Sequence, residues 1–428
     1  MPKEKATTKT APTTKTKTKH SSAELEKFHG FAEKAAEIAL YYGFAQLRAV
    51  QPDENGVIQP PQPKIIQKKG APAKAKTSID EPIEGISPIM HSYIEQGMQT
   101  FPQPVKLYCN GTLQHEEDKQ PAPRSAPDEF ALEVLGSTRS ISDAMVIFIA
   151  IIALREVGFS NVFVDINSLG DVESRKEYQK QLLIYYRKVS SHLCADCRHN
   201  MKSHVLALLE CEKPQCQAHK EKAPQTIAHL SVESKQHFKE VLEFLDALNI
   251  VYRINTNLVR GLDFYTHTVF ELSEMPTEDD TAIPEVFGAG GRYDGLAKKL
   301  GSKKDIPAVG CTLNIPKIIA HKHYKPAAAR SQKKAKIYFI QIGFEAKLKS
   351  MEVLELLRTA RIQVTHALAK DSLMQQLATA EKSGVQHAII FGQKEAIDGT
   401  VIIRNLDTRS QEIVKIKDLA DHIKREMK

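Results

Sequence analysis

The chain lacks any apolar run long enough to cross a bilayer. Its longest, residues 144–154, falls well short of the ~20 residues that a spanning helix needs and reads as a buried helix. No charged-then-apolar leader opens the sequence, so a cytoplasmic location without membrane attachment is the expectation. Cysteine is scarce, with six among 428 residues. Cys109 and Cys311 stand alone in strand-like runs and read as inert core thiols. Acidic excess is absent too: the formal net charge is +7. Much of it sits in residues 1–20, where Lys3, Lys5, Lys9, Lys15, Lys17 and Lys19 alternate with Thr, Ala and Pro. Such a tail has too little apolar surface to fold. It is expected to be disordered, serving as a solubilising segment or adding weak, salt-sensitive affinity for nucleic acid. The remaining body is nearly balanced, so composition is no argument for RNA binding. What is present is ordinary: 42% hydrophobic and 26% charged residues, in a chain long enough for two or three domains.

The rest of the chain is organised around two runs. Residues 258–272 read L-V-R-G-L-D-F-Y-T-H-T-V-F-E-L, and residues 287–296 read F-G-A-G-G-R-Y-D-G-L. Both look like strands with close glycine approaches. Together they offer Arg260, Asp263, Tyr265, Arg292, Tyr293 and Asp294, a donor and acceptor set suited to a small ligand bearing an amine and a carboxylate. On chemistry alone, a solvated hairpin with structural glycines accounts for them equally well.

Apolar periodicity predicts helices over residues 23–42, 84–98, 142–157, 175–189, 231–249 and 296–300, the third capped by Ser140 or Ser142. Strands are expected over 104–113, 128–136, 161–168 and 306–315, with a strand start at 44–52 that dissolves into a linker composition at 59–77. A basic, Ala-rich linker follows at 326–335. Beyond it, strand-like and helical runs alternate to the end, predicting a small α/β unit over 336–428 with a mostly parallel sheet. Cys194-x-x-Cys197 and Cys211-x4-Cys216 form two close pairs of the zinc-ribbon kind. Zinc would clip a polar segment with little core of its own, although the second gap is wider than usual. Four reduced thiols holding nothing are the alternative.

The motif R-G-L-D-F-Y-T at residues 260–266 resembles a histidyl-tRNA synthetase signature, R-G-L-D-Y-Y-T, and G-G-R-Y-D-G at 290–295 matches a second one. P-V-K-L-Y at 104–108, D-E-F-A-L-E-V-L-G at 128–136 and I-P-A-V-G at 306–310 resemble further segments of that family, in order, and the likeness spans about residues 24–428. The resemblance implies an α+β fold: a class II synthetase core with an antiparallel sheet and helices over 21–325, interrupted by an inserted segment at 171–232 that carries the cysteines. It also implies an anticodon-binding-like C-terminal domain and a homodimer. It further implies binding of L-histidine by Glu84, Glu129, Glu133, Arg260, Tyr265 and Tyr293, with Arg260 catalytic, and use of ATP, Mg²⁺ and histidine tRNA.

The chain departs from the family at its two motif arginines. Gln114, next to Glu116, stands where the second class II motif has arginine, and Lys317 stands where the third does. Gln114 is neutral, and Lys317 keeps the charge without the planar fork that holds phosphate through two bonds. Two functions stay open at this level: a histidine–tRNA ligase with divergent ATP contacts, and a non-catalytic homologue that binds histidine, tRNA or a partner enzyme.

Overall fold

The computed structural model describes residues 22–47, 86–111, 129–259, 264–275, 284–331 and 334–426. The tail at 1–20, the linker at 59–77 and five of the expected site residues, Glu84, Gln114, Glu116, Arg260 and Asp263, lie outside them.

The larger sheet has eight strands: β1 (Ala45–Gln46), β2 (Val105–Gly111), β3 (Glu129–Leu135), β4 (Val162–Ser168), β5 (Tyr252–Ile254), β6 (Thr266–Glu274), β7 (Val286–Arg292) and β8 (Ala308–Asn314). Their order is β1-β2-β3-β8-β7-β6-β4-β5. The six central strands are antiparallel neighbours, and only the edge pairs β1–β2 and β4–β5 run parallel. The expected strand over 258–272 begins only at Thr266. The Asn167 side chain accounts for part of the difference. Its amide donates to the carbonyls of Thr256 and Leu258, so this backbone is satisfied without a ladder.

Helix Ser140–Glu156 is buried from Ser140 through Leu154, as its all-round apolar sequence requires. It packs against helices Ser22–Tyr41 and Val232–Ala247 and against β8. Its cap differs from expectation: Arg139 occupies the N-cap without a side-chain bond. Ser142 instead meets the Ser137 hydroxyl at 2.7 Å, and Ser140 donates to Glu240 at 2.5 Å, because both serines are needed for tertiary contacts.

The second sheet contains β9 (Ile337–Gln341), β10 (Val364–His366), β11 (His387–Phe391), β12 (Thr400–Asn405) and β13 (Gln411–Lys415), in the order β10-β9-β11-β12-β13. Strands β10, β9 and β11 are parallel, while β11, β12 and β13 are antiparallel. The sheet is therefore mixed, which corrects the mostly parallel expectation. The reversal comes after G-Q-K-E at 392–395, which opens the short helix Gln393–Asp398. Gly399, with φ 65°, ends that helix and turns the chain back antiparallel. One apolar cluster runs through both sheets. Across it, the Tyr41 hydroxyl donates to the Leu354 and Ile362 carbonyls at 3.1 Å, and Arg358 bonds Glu156 at 2.7 Å.

Candidate functional site

One row of residues crosses the large sheet. Glu133 of β3 lies opposite Gly310 of β8, which lies opposite Gly291 of β7. Residues directly opposite one another share a face, so the two glycines leave a floor without side chains beside the Glu133 carboxylate. A Cβ at Gly310 would fall 2.0 Å from Glu133 Oε2, and one at Gly291 would fall 3.0 Å from the Tyr265 ring. The glycines thus make room for a carboxylate and an aromatic ring on the same face.

Glu133 is fully buried. The Tyr293 hydroxyl donates to its Oε2, while Oε1 is buried without a hydrogen-bond partner among the described residues. Burial pushes the Glu133 carboxyl up to about 8, only partly offset by the Tyr293 bond. Burial, and then the neighbouring carboxylate, also push the Tyr293 phenol well above its ordinary value. The Tyr265 and Tyr293 rings meet edge to face at 6.5 Å, and Phe264 packs against both. The result is a buried carboxyl beside a cluster of aromatic rings, with one of its oxygens left open as an acceptor.

Arg292 and Asp294 are bonded into the frame instead of being left open to a ligand, a correction to the sequence expectation. The Arg292 guanidinium is buried and bonds both oxygens of Asp143, with a further bond to the Ser137 carbonyl at 2.7 Å. Although burial alone would raise the Asp143 carboxyl, Arg292 and His237 hold it well below the usual carboxylate range. Asp294 accepts from Arg292 and from the Ala308 backbone N–H at 3.1 Å. Sequence reasoning missed Asp143 and Gly310. A lone acid inside an apolar helical run, and a glycine inside a strand pattern, were the available signals.

The structure separates the other expected residues. Glu129 shares the Glu133 face but sits four residues along β3, about 13 Å away at ~3.3 Å per residue, opposite Asn314. Asn314 caps helix Ile315–Ala320 by accepting from the Lys317 N–H. The Lys317 ammonium lies 3.4 Å from the Val286 carbonyl, at the same end of the sheet as Glu129. Glu133, Tyr265 and Tyr293 come together, and Lys317 stands apart from them.

This geometry can be set beside known proteins. Residues 87–318 match the family model described as histidyl-tRNA synthetase, and residues 336–426 match the anticodon binding domain. The chain belongs to the histidyl-tRNA synthetase family. It is 31% identical over 361 residues to a histidine–tRNA ligase of Staphylococcus carnosus, covering 84% of each chain. It is also 31% identical over 396 residues to that of Fervidobacterium nodosum, covering 91% of this chain and 92% of the relative. The apo S. aureus histidyl-tRNA synthetase structure matches with a TM-score of 0.54 at 22% identity, covering 97% of this chain and all of that one, which supports the shared fold. Among the described residues, no helix is long and apolar enough to cross a membrane.

A second chemical cluster lies in the segment between Asp171 and Ser231. The ends of this segment are joined: the Ser231 hydroxyl donates to Asp171 at 2.6 Å, and the Ser231 N–H donates to Ser174 Oγ at 2.9 Å. Within it the sulfurs of Cys194, Cys197, Cys211 and Cys216 all lie within 4.8 Å of one another. Cys194 and Cys211 are 4.0 Å apart, and Cys197 and Cys216 are 3.8 Å apart. Four thiolates at ~2.3 Å from a central zinc would be ~3.8 Å apart in a tetrahedron, so the donor set fits that ion. The Cys197 backbone N–H, pointing at Cys194, is the main cause that brings the Cys194 thiol down to about 7. Burial pushes the Cys197 thiol up.

Proposed function

We propose that the chain binds L-histidine against Glu133, Tyr265 and Tyr293, and is a histidine–tRNA ligase whose activation step is slow. The observation that carries this reading is the buried Oε1 of Glu133, which has no partner among the described residues. A carboxylate held out of water with an open acceptor is the complement of a cationic N–H donor, such as the α-ammonium or ring of histidine. Tyr293 orients the carboxylate through its hydroxyl, and the edge-to-face rings exclude water from it. Arg260 and Glu84 complete the amino-acid side by resemblance, with Arg260 facing both the histidine carboxylate and the reacting phosphate.

Activation would use ATP with Mg²⁺: the histidine carboxylate would attack the α-phosphorus, forming the bond to the adenylyl group as the bond to pyrophosphate breaks and pyrophosphate leaves. By resemblance, Gln114, Glu116 and Lys317 stand at the motif positions that would hold ATP; Glu129, assigned to the histidine side by resemblance, lies at the same end of the sheet as Lys317. Each preorganised donor missing from such a site costs roughly 10²–10³ in rate, so the lost charge at 114 and the lost two-bond fork at 317 fall on the chemical step more than on histidine binding. The unit matched at 336–426 is proposed to bind the anticodon region of histidine tRNA. The four cysteines are proposed to hold one structural zinc, and the chain to work as a cytoplasmic homodimer with an independent tail at 1–20 and a linker at 326–335.

A non-catalytic, histidine- or tRNA-binding role is the second reading, favoured by Gln114 and Lys317. Calorimetry with L-histidine and histidine-dependent ATP–pyrophosphate exchange separate the two. Binding with exchange orders of magnitude below an ordinary synthetase, rising in a Gln114→Arg/Lys317→Arg variant, is the expected result. Binding with no exchange in either form selects the non-catalytic role. Absence of histidine binding overturns the pocket assignment.

A further inference from the structure

At the end of β6 away from Thr266, a further donor cluster is assembled from residues outside the proposed histidine, ATP and cysteine sites. Glu274 ends β6, and His321 and His323 follow helix Ile315–Ala320. One carboxylate oxygen and one ring nitrogen from each histidine lie within 4.8 Å of one another. We propose that Glu274, His321 and His323 form a binding site for a divalent transition metal, zinc-like in preference, which staples the start of the 321–331 segment to the large sheet.

The donor set is two imidazoles and one carboxylate, a combination suited to zinc and neighbouring metals, with a position left for water. At metal–ligand distances of ~2.1 Å, tetrahedral donors stand ~3.4 Å apart. His321 Nε2 is already 3.6 Å from Glu274 Oε2. His323 Nδ1 is 2.9 Å from the same oxygen and 2.8 Å from Oε1, contacts that must open by roughly half an ångström to admit the ion. His323 exposes 44% of its side chain, which gives it room to move and gives the ion a way in.

The site is held in place by contacts that need no metal. The His321 ring packs against Phe159 and Phe287, each at 5.2 Å, which fixes its plane. The Lys325 N–H donates to the Val157 carbonyl at 2.7 Å. Gly158, at φ 106°, lets the His323 carbonyl approach so closely that a Cβ there would lie 2.3 Å from it. The backbone of both histidines is therefore anchored before any ion arrives, which lowers the ordering cost of binding. Protons balance as follows. His321 Nδ1 now accepts from the His323 N–H at 3.3 Å, placing the proton of the neutral ring on Nε2. On binding through Nε2 that proton moves to Nδ1 and this long contact is given up. His323 likewise shifts its proton from Nδ1 to the exposed Nε2.

The test is cobalt and zinc titration of the untagged full-length chain. Co²⁺ at a nitrogen and oxygen site gives a weak visible d–d spectrum without thiolate charge transfer, so it is distinguished from Co²⁺ on the cysteines. The expected result is one Co²⁺ per chain of the nitrogen and oxygen type, displaced by Zn²⁺ and retained in Cys194→Ser/Cys197→Ser. It should be lost in His321→Ala/His323→Ala. Glu274→Gln should lower affinity by more than the 10- to 100-fold that outer-shell changes cost. Trypsin cleavage after the exposed Lys322 should slow when Zn²⁺ is added to the wild-type chain and not to the histidine variant. A wild-type chain that gives only thiolate-type Co²⁺ spectra, or none, overturns the proposal. So does an unchanged nitrogen and oxygen signal in His323→Gln, a variant that keeps the hydrogen-bonding shape should the double alanine fail to fold.

Discussion

Arg292 and Asp143 stand 149 residues apart in the chain and meet, both buried, through two nitrogens of one guanidinium and both oxygens of one carboxylate. Arg292 is the residue immediately before Tyr293, so this pair fixes where β7 leaves the sheet and where the Tyr293 ring enters the pocket. Removing one partner of a buried pair strands a charge. Arg292→Met should therefore cost about 3–5 kcal/mol in chemical denaturation. Arg292→Met/Asp143→Leu should cost less than the two single changes added together. A loss below about 1 kcal/mol for Arg292→Met would show that the pair does not hold the frame. Because the Asp143 carboxyl is depressed, its contribution is present above the ordinary carboxylate pKa and is lost as pH falls through its folded value.

The sign is reversed at Glu133. Its folded pKa, about 8, lies above the ordinary value near 4.3, so folding favours the protonated form. The contribution is intact below about pH 4.3, erodes as pH rises, and is gone above about pH 8. Glu133→Gln should therefore gain stability relative to the native chain between pH 5 and pH 8.5, read as a divergence of denaturation midpoints. Parallel pH profiles for the two proteins would contradict a buried, proton-bearing carboxyl. If histidine binds here as a cation, binding should also release protons, visible as a dependence of calorimetric enthalpy on buffer ionisation.

Gly310→Ala tests the glycine floor. Its Cβ would overlap the Glu133 carboxylate, so overpacking of about 1–3 kcal/mol and loss of histidine affinity are expected together. Gly295→Ala is the control: a Cβ there meets nothing within 4 Å, and its effect should stay within about 0.5 kcal/mol. Equal effects at the two positions would sink the floor argument.

Protein purified without chelator should contain one zinc on the cysteines, measured by elemental analysis of the His321→Ala/His323→Ala form so that the two sites are not confused. Cys194→Ser/Cys197→Ser should release it and increase proteolysis between Asp171 and Ser231 while leaving the two sheets intact. Affinity should weaken as pH falls below about 7, where the Cys194 thiol regains its proton. Metal content near zero at neutral pH would leave four reduced thiols as the better description.

Local pattern alone located most helices, the central strands, the cysteine pairs and the glycine-rich runs, because periodicity, glycine and cysteine spacing are properties of neighbouring residues. Glu133, Tyr265 and Tyr293 could be named from their motifs. What those motifs could not say is which polar groups face a ligand. Arg292 ends β7 and Tyr293 is the next residue, yet one is consumed by Asp143 and the other reaches Glu133, because their partners come from distant segments on different elements. The mixed direction of the C-terminal sheet was likewise hidden, because it depends on Gly399 turning the chain after a helix too short to cross the sheet. The Glu274–His321–His323 cluster had no sequence spacing to reveal it. Its carboxylate and its imidazoles are separated by two strands, and only antiparallel pairing and the anchored backbone at Gly158 bring them within reach of one ion.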